Sequence, residues 1–492
     1  MSKIQITALI MIILYMVATV FVGLFASSRQ KKKSSKQSNE DFLMASKSLG
    51  PLALAGTLFA SNTGGASTTG IATNVYGYGL SASWYVIAAG IGFILVAFIA
   101  PYFRRSQSST VPEIIGKRYG KKSHILTAIT SIGALFLATG AQIIATASII
   151  SVVTGIDYKI AAIITTAIVI VYTMFGGYKS VTAANMMHVL FITVGMTIAM
   201  FIMVNNKDIG GFSALFDKAR TVSDASGKNL DFLSMVKIGA PTILGYVAMY
   251  FMTFPTGQEI VQTFGSAKDG KTAKFGSFIA GGLSAVYAIV PAIIGLIAYA
   301  CIDGYASAGA QKNALADATI TFTPPIIAGI VLAAIVAATM SSASGNMIGT
   351  ATMFTNDVFR PYINKGKHDD QKEVKISKIV MVTVGIVGLV VALTASNIIA
   401  VMMGAFALRS AGPFAAFIMG LFSKKVTKNA GFWSIVTGTV VAAIWIYGLK
   451  SPWDLSAIVP GGIAAFIAIF LVTAVENKAG VKPAPPLELD EK

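Results

Sequence analysis

Long apolar stretches separated by short polar segments recur along almost the whole chain. Thirteen of them are candidates for membrane-spanning helices, because a helix needs about 20 mostly apolar residues to cross a bilayer. They lie near residues 6–25, 52–76, 83–101, 125–153, 160–175, 187–204, 238–263, 278–301, 325–352, 379–395, 399–422, 432–447 and 458–475. The pattern predicts an all-α integral membrane protein with about 13 transmembrane helices.

The composition supports one membrane-embedded unit. Hydrophobic residues make up 55% of the 492 residues and charged residues 12%, which is about half the charged fraction of an average soluble chain. With a single cysteine, Cys301, and three histidines, the chain cannot form an internal disulfide and offers no His/Cys pattern for a metal enzyme. The sequence also contains no nucleophile–base arrangement and no phosphate-binding glycine loop, so we expect no enzymatic activity.

The distribution of basic residues predicts the topology. The net charge of +17 is spread over short loops between apolar segments, which is typical of a membrane protein and not of a nucleic-acid-binding one. On one side of the predicted spans lie 28 of the 38 basic residues. We therefore expect a multi-pass plasma-membrane protein, surrounded by lipid, with its N-terminus outside and its C-terminus in the cytoplasm. No nucleic acid and no obligate protein partner are expected.

The spans group into two five-helix blocks with extensions. The first apolar stretch is expected to remain as a helix, because basic residues from Arg29 onwards follow it instead of a cleavage site. The predicted regions are an extra N-terminal helix (1–30), a first five-helix repeat (45–205), an external loop (205–237), a second five-helix repeat (238–425), two C-terminal helices (430–476) and a disordered, Pro-rich cytoplasmic tail (477–492).

The first helix of each block is interrupted. Polar and glycine residues fill 61–70 in span 2, and residues 253–259 of span 7 include Pro255 and Gly257. Non-helical backbone at membrane depth is tolerated where it lines a cavity or is buried in protein. One such break is no more than a packing kink in many helices, but breaks at matching positions of two repeats point to a transporter binding site.

Span 9 carries candidate sodium ligands. Sodium is a hard cation that prefers oxygen ligands, as other hard cations do. Ser341 and Ser342, with the carbonyl of Ala338 one turn earlier, supply three oxygens, and unwound carbonyls of span 2 supply others. Hydroxyls of this kind also serve as plain helix-packing groups, so the stretch alone leaves both interpretations open.

In their order along the chain, these segments resemble the sodium:solute symporter family, which includes sodium/proline and sodium/glucose symporters. The resemblance covers roughly 5–475 and the same thirteen-span layout. Its motifs are Lys47–Pro51 before span 2, Asn62 at the break, Phe175–Gly177 after span 5, Gln258–Gln262 in span 7, Ser341-Ser342 followed by Asn356-Asp357, and Gly420–Phe422 followed by Lys424-Lys425.

The resemblance implies a LeuT-like core of two inverted five-helix repeats and a sodium-coupled importer of a small solute. It places one sodium ion between the carbonyls of Ala60, Thr63 and Ala338 and the hydroxyls of Ser341 and Ser342. Some family members bind a second sodium ion through an acidic residue in span 6. Because Asn185 stands there instead, a second ion is doubtful.

The solute is expected to bear a carboxylate, as a monocarboxylate anion or an amino acid does. Gly64 and Gly65 can offer N–H groups at a helix restart, and Arg409 lacks an acidic partner in spans 10 and 11. Sugar-transporting members of the family typically carry Glu and Gln where this chain has Ala66 and Ser67, and this difference argues against a sugar as the solute. The predicted solute contacts are Asn62, Gly64, Gly65, Ser67, Gln142, Phe254, Gln258 and Arg409.

Several alternatives stay open at this point. Arg409 is the one clear charge inside a late span, and it can cap carbonyls near Gly412-Pro413 instead of meeting an anion. Glu259 suits a structural ion pair better than a proton-coupling role. A neutral solute could bind Asn62, Gln142 and Gln258 by hydrogen bonds alone. A proton-coupled carrier and a channel are the competing functions.

Overall fold

A computed structural model describes residues 3–31, 49–106, 108, 110–225, 231–308, 312–395 and 397–487. Lys47 and Ser48 of the first family motif, residues 226–230 of the predicted external loop and residues 488–492 of the tail lie outside this part of the chain. The described residues are helical almost throughout and contain no β-strand beyond one isolated bridge between Leu49 and Ala267. The all-α prediction is confirmed.

The described chain forms 22 α-helices, joined in places by π-helical or 3₁₀ turns. The α-helices are α1 (Lys3–Lys31), α2 (Pro51–Asn62), α3 (Ile71–Tyr78), α4 (Trp84–Val96), α5 (Ala100–Arg105), α6 (Val111–Tyr119), α7 (Lys121–Thr154), α8 (Tyr158–Leu190), α9 (Met196–Val204), α10 (Phe212–Ala225), α11 (Ala240–Thr253), α12 (Gln258–Gly265), α13 (Gly270–Tyr287), α14 (Ile289–Cys301), α15 (Tyr305–Ala308), α16 (Ala314–Phe322), α17 (Pro325–Met353), α18 (Asp370–Thr394), α19 (Ile398–Ser410), α20 (Pro413–Phe422), α21 (Lys428–Ala443) and α22 (Ile458–Lys478). The π-helical segments are Ala66–Gly70, Phe191–Gly195, Phe354–Ile363 and Ile444–Gly448.

Eight helices or continuous helix runs among the described residues are long and apolar enough to cross a membrane. The pair α19 and α20, bent by 44° at Ala411-Gly412, makes a ninth if it is one span. Shorter apolar helices lie at Gln5–Thr19 and Tyr158–Val171. The exact number of 13 spans therefore stays a prediction.

Helix α17, part of the most buried of the long apolar helix runs, lies at the centre of the molecule. It packs against α1, α7 and α8, while α7 also packs against α18 and α19. Small residues allow this close approach: a Cβ added at Gly329 of α17 would lie 2.8 Å from the Met11 side chain of α1. The central position of α17 places Ser341 and Ser342 in the protein interior, where both are buried.

The C-terminal tail differs from its prediction. Disorder is the expectation for residues 481–487 because of their prolines, but they pack against α6 and the segment between α20 and α21. Ala484 is buried and its N–H donates to the carbonyl of Val426 at 2.8 Å, while its own carbonyl accepts from Arg118 at 2.8 Å. Arg118 is almost fully buried and needs acceptors, and the extended backbone that prolines favour leaves carbonyls free to serve it.

The predicted topology can be tested by labelling. A cysteine at Lys365, in an exposed turn before α18, should not react with a membrane-impermeant maleimide applied to intact cells, because the Lys/Arg distribution places this turn inside. A cysteine at Val236, which is 68% exposed and predicted to lie outside, should react. Both variants are made in a Cys301→Ala background. Labelling at 365 from outside would show that the orientation is reversed.

Candidate functional site

The first break lies between α2 and a π-helical segment. Helix α2 ends at Asn62, where Thr63 leaves the helical conformation (φ −89°, ψ 65°). The N–H of Gly65 donates to the side-chain oxygen of Gln142 on α7 at 2.7 Å. The Ser67 hydroxyl donates to the carbonyl of Asn62 at 2.6 Å. These bonds satisfy backbone groups that the break would otherwise leave unpaired.

The second break separates α11 from α12. The chain leaves the helix after Thr253 and restarts at Gln258, following Gly257 in an extended conformation (φ −85°, ψ 117°). The Thr256 hydroxyl lies 2.7 Å from the Ser410 hydroxyl at the end of α19. This hydrogen bond connects the second break directly to the bent helix pair α19 and α20.

A small cavity of about 30 Å³ lies between α2, α12 and α17. That is room for an ion or one to two water molecules. We call it the oxygen-lined cavity, and its lining residues are Thr57, Ala60, Ser61, Asn185, Glu259, Gln262, Ser341, Ser342, Gly345 and Asn346. Of the predicted sodium ligands, Ala60, Ser341 and Ser342 line it, whereas Thr63 and Ala338 do not.

The hydroxyl groups of this cavity are arranged as acceptors. Thr57 donates its hydrogen to the carbonyl of Ala53 at 2.8 Å, and Ser61 donates to the carbonyl of Thr57 at 2.8 Å. Ser341 donates to the side-chain oxygen of Asn185 at 2.5 Å. Since a hydroxyl has one hydrogen and two lone pairs, each of these oxygens keeps a lone pair for another partner.

Ser342 is the exception, because its buried hydroxyl has no partner among the described residues. A buried polar atom without a partner costs free energy, so a bound cation or water would stabilise it. The set of oxygens suits a hard, weakly polarising cation such as sodium.

A second cavity, also of about 30 Å³, adjoins the first. We call it the aromatic cavity, since Tyr85, Phe254 and Phe406 line it. The other lining residues are Ser61, Asn62, Gly64, Ala66, Ser67, Ala138, Gln142, Glu259, Ile260, Ser342, Asn346, Met402 and Arg409.

Six of the eight predicted solute contacts line the aromatic cavity: Asn62, Gly64, Ser67, Gln142, Phe254 and Arg409. Gly65 does not line it, and its N–H is already bonded to Gln142. Gln258 lies elsewhere, because its side-chain oxygen accepts from the N–H of Val111 at the start of α6. Gln258 thus holds α6 against the second break, and its contact with the solute stays a prediction.

Arg409 has an acidic partner that the sequence did not reveal. Its two terminal nitrogens donate to the two carboxylate oxygens of Glu259 at 2.9 and 2.7 Å. The side chains are 3% and 18% exposed, and the guanidinium also lies over the Phe406 ring at 5.0 Å. The partner comes from the second break and not from spans 10 and 11, so Arg409 and Glu259 form an ion pair with each other.

Several lining residues were missed, although helical spacing carried a signal for them. Thr57 and Ser61 are one turn apart on α2, and Asn346 is one turn beyond Ser342 on α17. Residues four apart lie on one face of a helix. Extending the predicted ligands by one turn would have found Thr57, three residues before Ala60, and Asn346, four residues after Ser342; a further turn from Thr57 leads to Ser61.

Comparison with known proteins decides the family. A model of the sodium:solute symporter family matches residues 42–438. The chain belongs to the sodium:solute symporter family.

Three transporters are similar to this chain over most of their own length. An osmoregulated proline transporter of Bacillus subtilis is 25% identical over 94% of this chain and 94% of its own length. A sodium/glucose cotransporter of Vibrio parahaemolyticus is 26% identical, covering 86% and 82%. A sodium/proline symporter of Staphylococcus aureus is 25% identical, covering 96% and 93%.

Solved structures show the same fold. A sodium-coupled sialic acid symporter in an outward-open state aligns with a TM-score of 0.79 at 20% identity, covering 98% of both chains. A nucleobase-cation-symport-1 family transporter, Mhp1, aligns with a TM-score of 0.57 at 16% identity, covering 90% of this chain and 96% of its own. The predicted LeuT-like fold is confirmed for this sodium:solute symporter.

Membership also fixes the class of activity. Family members are transporters and not enzymes, they take small-molecule substrates, and they use sodium. A multi-span symporter of this family is a plasma-membrane protein.

Proposed function

We propose that this chain imports a small organic solute bearing a carboxylate together with one sodium ion, by alternating access. The observation that carries the proposal is the adjacency of the two cavities at the two helix breaks. The oxygen-lined cavity suits the cation and the aromatic cavity suits the solute. Because both cavities are small, we infer that the surrounding helices move apart to admit the solute and close again around it.

The proposed sodium ligands are the carbonyls of Ala60, Thr63 and Ala338 and the hydroxyls of Ser341 and Ser342. Ala60 and the two serines already share one cavity. A shift of the first break would bring the carbonyl of Thr63 to the ion. With Asn185 in place of an acid, we propose a single sodium ion.

Unpartnered donors favour a carboxylate in the aromatic cavity. The Asn62 amide nitrogen and Nε of Arg409 are buried and have no hydrogen-bond partner among the described residues. Both residues line this cavity. Because both atoms are donors, the solute that completes them must present acceptor oxygens, and a carboxylate presents two with a negative charge.

The Lys/Arg distribution along the chain supports the proposed orientation, and the two helix breaks support the proposed repeats. We propose that the two five-helix repeats, 45–205 and 238–425, each contribute one broken helix. The N-terminus lies outside, the C-terminus lies inside, and residues 205–237 form an external loop that includes α10.

Uptake into proteoliposomes tests the proposal. We expect an imposed sodium gradient to drive saturable uptake of at least one of labelled acetate, pyruvate and proline, and not of labelled glucose. Sodium-free vesicles with a proton gradient serve as the comparison. Uptake driven equally well by protons alone would favour a proton-coupled carrier, and uptake of glucose would favour a neutral solute.

A further inference from the structure

The two cavities share one wall. Ser61, Glu259, Ser342 and Asn346 line both of them. Glu259 is the charged member of this shared set. The charge of Glu259 therefore interacts electrostatically with ligands in both the oxygen-lined cavity and the aromatic cavity.

Local structure holds Glu259 at this shared wall, which we call the junction of the two cavities. It occupies the first turn of α12, where the helix dipole stabilises a negative charge. Gly257 lets the pair come close: a Cβ there would lie 2.9 Å from a terminal nitrogen of Arg409 and 3.1 Å from a carboxylate oxygen of Glu259. Both side chains are thus held between the break and α19.

A count of charges distinguishes the occupied states. With neither ligand, Glu259 and Arg409 cancel each other. A sodium ion alone leaves one net positive charge at the junction, and a monocarboxylate alone leaves one net negative charge. Only sodium and carboxylate together restore neutrality, and a net charge in a buried site is costly.

We propose that Glu259 exchanges partners and so couples the solute to sodium. A solute carboxylate that enters the aromatic cavity takes donors of Arg409, and Glu259 then turns its negative charge to the cation in the oxygen-lined cavity. Glu259 already borders that cavity, so a rotation of its side chain can bring its carboxylate to the cation. This inference rests on the proposed function and extends it to the coupling step.

The exchange also narrows the solute class. A zwitterion brings no net charge, so a sodium ion beside it leaves the junction with one net positive charge. A monocarboxylate without an ammonium group completes neutrality with one sodium ion. The preferred solute of this site is therefore a monocarboxylate anion, transported with sodium in a ratio of one to one.

Sodium binding without any solute gives the first test. Binding of ²²Na⁺ is measured on the purified wild type and on the two single variants under identical conditions. Arg409→Gln should bind sodium at least about fivefold more tightly than the wild type, because Glu259 is then permanently available to the cation. Glu259→Gln should bind at least about fivefold more weakly, because an unpaired Arg409 repels the ion.

The double variant separates this effect from damage to the fold. Glu259→Gln/Arg409→Gln removes both charges together, which avoids an unpaired buried charge, and should bind sodium nearly as the wild type does. Glu113→Gln is the matched control: Glu113 pairs with Lys117 at 2.7 Å on α6 and lines neither cavity. Equal sodium affinities in the wild type and both single variants, each monodisperse in detergent, would overturn the exchange.

The second test adds the solutes. In the wild type, saturating acetate or pyruvate should tighten sodium binding at least about fivefold, whereas proline should do so less and glucose not at all. In Arg409→Gln and in the double variant, which both lack the guanidinium that binds the carboxylate, the solute should leave sodium affinity unchanged. A wild type that transports with sodium but shows no such tightening with either monocarboxylate overturns the exchange alone. A wild type without sodium-dependent uptake of any of these solutes overturns the proposed function, and the exchange with it.

Discussion

Replacing Ser341 and Ser342 together by alanine should remove the sodium activation of uptake while leaving the protein inserted. The change deletes two oxygens that line the oxygen-lined cavity. The Ser342 hydroxyl has no hydrogen-bond partner within the described part of the chain, so its loss breaks no bond there. Substitutions of the groups that merely support a metal ligand cost about 10–100-fold in affinity. We expect at least about a 100-fold loss in apparent sodium affinity here, measured as sodium-dependent uptake in proteoliposomes.

Ser344→Ala provides a matched control for the double variant. Ser344 lies on the same helix, is fully buried and has an unpartnered hydroxyl like that of Ser342, but it does not line the oxygen-lined cavity. Its variant should keep the sodium affinity of the wild type. Unchanged sodium activation in Ser341→Ala/Ser342→Ala would remove this cavity from the transport cycle.

The helix breaks were predictable because their causes are local. Pro255 removes a backbone donor within its own helix, and the glycines at 64, 65 and 257 weaken the helical ladder where they stand. Two such interruptions at corresponding positions of two blocks indicate a site without any knowledge of packing. The structure has both breaks, after Asn62 and after Thr253.

The pairing of Arg409 with Glu259 was not predictable in the same way. The two residues are 150 positions apart, and the contact exists because α19 crosses the second break. Local sequence shows only that neither has an acidic or basic neighbour within its own span. The hydrogen bond between Gln258 and the N–H of Val111 was not predictable for a related reason, since these residues are 147 positions apart and meet only where α6 packs near α12.

The tail shows a limit of composition. Proline-rich segments lack regular hydrogen bonds of their own, and this was interpreted as disorder. Residues 481–487 are ordered instead because Arg118 and the carbonyl of Val426 supply bonds from other parts of the chain. Hydrogen-bond partners from other parts of the chain cannot be predicted from the sequence of the tail alone.

The close approach of the first break to α7 leads to the second large prediction. A Cβ added at Gly65 would lie 2.4 Å from the Cβ of Ala145, a distance that requires one helix to move. The backbone of Gly65 has ordinary helical angles (φ −59°, ψ −39°), so the obstacle is purely steric. Gly65→Ala should therefore displace the break from α7 and weaken the bond from its N–H to Gln142.

We expect Gly65→Ala to reduce the initial rate of uptake about 100-fold, since a displacement of about 1 Å in a binding site has effects of this size. Gly65→Ala/Ala145→Gly transfers the methyl group from one helix to the other. The nearest remaining atom is then the carbonyl oxygen of Ala141 at 3.3 Å, so the double variant should recover most of the activity. Gly404→Ala on α19, where an added Cβ meets nothing within 4 Å, is the control and should transport normally. If Ala145→Gly fails to restore uptake in protein that is correctly inserted, the contact between the first break and α7 does not set the geometry of the site.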